Sequence, residues 1–272
     1  MPPTPPPKTP EPEDNWPIPK FNLRVEDLDH PGAQLFFAAL ASPGTDKHSR
    51  HNSNGVLEAL KYAVIASFEW LYAVPECAPT NVKQILLVLR PMDGVAYTFG
   101  SHHEKEIHFS LDHIENSRDR AREEILGVLV HEVVHCYQHN GNGTANGGFI
   151  EGVADYVRLH SSLAPPHWRR SAPSREDNWD AGYERTAYFL DWLESTSGEG
   201  TIRKMNAALS GEGVTWENAR IFEIFGGAKV GALWRRYRVE MGGESVTEDD
   251  EHKSRKVEVD ETAVRSYNPV YV

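Results

Sequence analysis

The rhythm of hydrophobic and polar positions changes along the chain. FNLRVED (Phe21 to Asp27) alternates with a period of two, as a half-buried strand does, whereas GVLEALKYAVIASFEWLYAV (Gly55 to Val74) repeats its apolar residues every three or four and predicts a long packed helix. Three β-type stretches follow: KQILLVLR (Lys83 to Arg90), GVAYTFG (Gly94 to Gly100) and EIHFS (Glu106 to Ser110). Helical period then takes over. Ser117 is a fair N-cap for a helix from about Arg118 to His139, and the run Asn140, Gly141, Asn142, Gly143 would stop it. FIEGVADYVRLH, GYERTAYFLDWLES, TIRKMNAALS and AKVGALWRRYRVEM continue the helical pattern, so strands crowd the first half and helices the second. No internal repeat stands out.

Composition sets the outer limits. Of 272 residues, 39% are hydrophobic, enough for one sizeable core or two lobes around a cleft. Half of the 18 prolines fall within residues 1–20, which predicts an extended, disordered arm there. The charged stretch from Gly242 to Val272 predicts a disordered tail, leaving 21–241 as the folded domain. No run reaches the roughly 18 to 20 apolar residues of a membrane span, and the amino terminus lacks the apolar region of a secretory signal. The default expectation is a cytoplasmic protein, with extracellular release by a non-classical route as the alternative. A formal charge of -12 makes nucleic acid a poor partner. Cys77 and Cys136 lack the spacing of a zinc knuckle or redox pair, and Cys136 is expected to be a buried free thiol.

The chemistry concentrates in HEVVHCYQHNGNGTANGGFIEGVADYV (His131 to Val157). Leu126, Val130, Val133 and Tyr137 fall on one side of the predicted helix, with His131 and His135 nearly opposite. One turn apart on the same face, two imidazoles can reach a single tetrahedral Zn2+, and Glu132 is offset by one residue, where it can touch a water rather than act as a ligand. A shuffled chain of this composition would contain HExxH in about one case in twenty, so the surroundings must decide. A glycine-rich turn leads to a second helix that supplies Glu151, completing the two-histidine, one-carboxylate set of a catalytic zinc with an open fourth place. Asp155, one turn further, could accept the Nδ1 proton of His131 and fix its tautomer. His139 would wind away around the helix and is expected to line the cleft or cap the helix end.

The expected reaction is peptide hydrolysis, with one Zn2+ on His131, His135 and Glu151 and with Glu132 activating the water held on the metal. Tyr183 is the candidate donor for the oxyanion, and a packing tyrosine beside Trp179 is its alternative. GVAYTFG is the natural sheet edge for an extended peptide substrate. His102, His103 and His108 are expected to be loop and strand residues, not a second metal site. A different class stays open: a zinc-stabilised binding or defence-related protein without turnover. Oligomeric state is unconstrained.

HEVVHCYQHN with GGFIEGVADYVRL, preceded by GVAYTFG and EIHFS and followed by GYERTAYFLDWLES, resembles the plant basic secretory protein family of zinc peptidases, from about Phe21 to Met241. The resemblance implies His131, His135 and Glu151 as ligands and Glu132 as base. More distantly, Glu151 and Asp155 are similar to the ExxxD of gluzincins. That similarity implies a zincin-like α+β fold, with an upper mixed lobe (about 21–140) holding a twisted sheet and the active-site helix, and a lower, mainly helical lobe (about 147–241). The chain departs from the family name in being acidic and in lacking a recognisable signal peptide.

Overall fold

A computed structural model describes residues 15–41, 55–174 and 176–242. Most of the expected arm (1–14) and nearly all of the expected tail (243–272) lie outside the described residues. The rest of the arm packs: Trp16 is buried and stacks on Phe68 with ring centroids 5.5 Å apart.

Four strands form one sheet in the order β1-β2-β4-β3: β1 (Lys20–Val25), β2 (Gln84–Arg90), β3 (Ala96–Gly100) and β4 (Glu104–Ser110). The first three neighbours run parallel, and β3 lies antiparallel to β4 at the edge. Period-two alternation sends Ile85, Leu87, Leu89, Ile107 and Phe109 to one face, where all are fully buried. Thr98 pairs with Ile107 and shares that face, while Tyr97, paired with His108, stacks on its imidazole on the other.

The helices are α1 (Pro31–Ala41), α2 (Val56–Leu71), α3 (Leu111–Ser117), α4 (Ala121–Tyr137), α5 (Gly147–His160), α6 (Tyr183–Ser197), α7 (Thr201–Ala208), α8 (Trp216–Ala219) and α9 (Val230–Glu240). Together with the small sheet they make an α+β fold. Helix α1 escapes periodicity because PGAQLFFAALA holds no charged residue to mark a polar face.

One expectation needs correction. Ser117 does not cap the motif helix: its hydroxyl donates to the carbonyl of His113, and it ends α3, which Ser110 caps by accepting from the His113 amide at 3.2 Å. Arg118 then takes a positive φ of 40° and a 3-10 turn precedes α4. Helix α4 is enclosed along its middle. Every residue from Ile125 to Val134 is buried, because α1, α2, α3, α5 and the sheet all pack around this helix.

Candidate metal centre

The turn after α4 reverses the chain with three consecutive left-handed residues, Gly141, Asn142 and Gly143. Asn146 starts α5 by accepting from the Phe149 amide at 3.0 Å. Gly148 and Gly152, one turn apart, then let α5 come close to the segment from Asp180 to Thr186. A Cβ at Gly148 would lie 1.9 Å from the Asp180 carbonyl oxygen, and one at Gly152 would lie 2.2 Å from Cγ2 of Thr186. This close approach fixes the rotation of α5 and with it the direction of Glu151.

The donor atoms of His131, His135 and Glu151 all lie within 4.8 Å of one another. Nε2 of His131 is 3.1 Å from Nε2 of His135 and 3.1 Å from Oε2 of Glu151, and Nε2 of His135 is 3.7 Å from Oε1 of Glu151. Each imidazole is held from behind. His131 donates through Nδ1 to Asp155 Oδ1 at 2.6 Å, and His135 donates through Nδ1 to Gln138 Oε1 at 2.9 Å. Gln138 donates in turn to the carbonyl of Ile150 at 3.1 Å, which assigns its amide orientation and ties the end of α4 to the start of α5. Both Nε2 atoms are thereby directed at the same point as Glu151, a donor set that could hold a metal ion.

Burial opposes charge on His131, but the Asp155 carboxylate, its hydrogen bond and that of Glu151 outweigh it and lift the pKa from 6.5 to about 10. Burial likewise works against the Glu151 carboxylate. Its hydrogen bonds with His131 and His135 reverse that effect and hold it well below the usual carboxylate range.

Glu132 is buried at 5% exposure on the sheet side of α4, where Oγ1 of Thr98 stands 2.7 Å from its Oε2. Tyr183 opens α6 with a positive φ of 48°, and its half-exposed ring lies parallel to the His131 imidazole with centroids 6.3 Å apart. His139 is turned away, donating its amide to Asn206 and packing its ring edge-on to Tyr72. His103 bonds the Asn81 carbonyl and His108 bonds Glu106. Among the described residues, His131, His135 and Glu151 form the one group of three or more that could hold a metal. Cys136 is a buried free thiol whose pKa burial pushes up, and Cys77 is free and exposed.

The sequence did not point to Thr98 or Gln138. Gln138 had a local signal, since a residue three after His135 lies on the same helix face. Thr98 had none, because its contact depends on how the sheet registers against α4.

The fold and the cluster together define an α+β protein built around a buried HExxH helix with a carboxylate from the next helix. The model of the BSP family, described as peptidase of plants and bacteria, matches residues 18–237, and the chain belongs to that family. Membership makes it a peptidase-family hydrolase with peptide or protein as its substrate class. No curated protein and no solved structure matches the chain.

Proposed function

We propose that the protein is a zinc-dependent metallopeptidase with His131, His135 and Glu151 as the metal ligands and Glu132 as the general base. The observation that carries this reading is the convergence of the three donors within 4.8 Å, with both Nδ1 atoms engaged elsewhere. When bound there, zinc supplies Lewis acidity that polarises a carbonyl and makes water a nucleophile near neutral pH.

The chain's own residues do the rest. Asp155 and Gln138 keep the two rings in the tautomer that presents Nε2. Glu132 takes the proton of the attacking water and delivers it to the departing amine. Tyr183, held over His131 by a backbone conformation unusual for a tyrosine, donates to the carbonyl oxygen as it gains charge. An extended peptide pairs with the edge of β3, the strand whose Thr98 touches Glu132.

The test is zinc content and peptide cleavage in the parent, Glu132→Gln and Glu151→Ala. Glu132→Gln should keep stoichiometric zinc and lose cleavage, and unchanged cleavage would remove Glu132 from the mechanism. Glu151→Ala should lose both, whereas tight stoichiometric zinc in that variant would mean that another residue completes the set.

A further inference from the structure

The hydroxyl of Thr98 faces two acceptors on the same residue: Oε2 of Glu132 at 2.7 Å and its main-chain carbonyl at 3.0 Å. A hydroxyl has one proton to give. The carbonyl belongs to the ladder of α4 and also faces the Cys136 thiol at 3.7 Å. The carboxylate is nearer and, when ionised, the stronger acceptor, with a separation typical of a charge-assisted O–H···O bond. A carboxylate at 5% exposure needs such a partner, and here it comes from a different element, 34 positions away in sequence.

We propose that Thr98 is a positioning residue for the general base. This rests on Glu132 being that base. The terminal torsion of a glutamate is broad, so a carboxylate held only by its own stem presents either oxygen in a range of directions. Thr98 removes that freedom. Its Cα is clamped by the pairing of β3 with β4, its β-branched side chain has few rotamers, and its hydroxyl occupies Oε2. Oε1 is left to take the proton from water. The strand that offers its edge to an extended substrate is therefore the strand that aims the base. Losing the hydroxyl should slow the chemical step rather than weaken substrate binding.

The experiment compares full-length parent protein with Thr98→Val, which keeps the shape without the hydroxyl, Thr98→Ala as a second hydroxyl-free variant should valine disturb folding, and Thr98→Ser, which restores the donor. Two readouts are needed. In metal-free protein labelled with 13C at the glutamate carboxyl carbon, the Glu132 resonance is identified by its loss in Glu132→Gln and compared between variants at one fixed pH. In zinc-loaded protein, kcat, KM and zinc content are measured with a quenched fluorogenic peptide selected on the parent.

In the hydroxyl-free variants the Glu132 resonance should shift and kcat should fall roughly ten- to a hundredfold, the range for a hydrogen bond to a charged group. KM and zinc content should stay at parental values, and Thr98→Ser should recover both resonance and kcat. An unmoved resonance, an equal loss in Thr98→Ser, or a raised KM with unchanged kcat would overturn the proposal. Failure of the base assignment itself is distinguishable, because Glu132→Gln would then cleave as the parent does, and the role of Thr98 would fall with it.

Discussion

Asp155 Oδ1 stands 2.6 Å from Nδ1 of His131, so a nearly fully buried carboxylate on α5 sets the tautomer of an imidazole on α4. Removing it should loosen the ring without removing a donor atom. Asp155→Ala should weaken zinc binding by about ten- to a hundredfold, the usual cost of losing such an outer partner. Competition against a chromophoric chelator measures this, and parental affinity would make the contact irrelevant to the metal.

Gln138 performs the matching task for His135 and also ties α4 to α5 through the Ile150 carbonyl. Gln138→Leu removes both bonds with little change in volume. Zinc affinity should drop here too, accompanied by a lower melting temperature, because the tie from the end of α4 to the Ile150 carbonyl is lost as well. A variant with unchanged affinity and unchanged melting would contradict both roles.

Metal uptake should release a proton. With its pKa raised to about 10, His131 is protonated in the metal-free protein at neutral pH, and a ligating imidazole must be neutral. The same raised value means that the proton's contribution to metal-free stability is full below 6.5 and is lost as the pH rises through about 10. Zinc titrations by calorimetry in two buffers of different ionisation enthalpy should therefore show about one proton released at neutral pH, with affinity rising as the pH rises. No difference between the buffers would show that His131 is already neutral.

Acid should act through a different group. Burial raises the Glu124 carboxyl, but hydrogen bonds from His113 and Arg158, and the charge of Arg158, prevail and lower it from 4.5 to about 2. A depressed carboxylate stabilises the fold above its ordinary pKa and loses that contribution as the pH falls through the folded value. Urea unfolding at about pH 5 and about pH 3 should show a drop in stability that is smaller in Glu124→Gln.

The contact between α5 and α6 can be tested by overfilling it. A Cβ at Gly152 meets Thr186, whose hydroxyl is fixed by donating to the Trp179 carbonyl and accepting from the Gly182 amide. Gly152→Ala should cost about 1–3 kcal/mol in urea unfolding. Adding Thr186→Ser, which deletes the methyl, should recover part of that loss.

Much of this arrangement was legible in the sequence because it is local. The first strand announces itself by alternation and the other three as β-type stretches, and His131, His135, Glu151 and Asp155 by one-turn spacing within two helices. The parts that were not legible depend on partners distant in sequence. The enclosure of α4 on every side hides its polar residues in a core that periodicity assigns to one face only. Ser117 is taken up as the last residue of α3, a helix that Ser110 starts where the chain bends straight out of β4, so it does not cap α4. Thr98 acquires its partner from the offset between a sheet and a helix, a quantity that no stretch of sequence contains.

The engagement of both Nδ1 atoms by Asp155 and Gln138 bears on how the two rings are aimed. Those partners fix the direction of both imidazoles through protein contacts that a metal ion does not supply. Changing either partner should therefore re-aim a ring while leaving its donor nitrogen in the sequence.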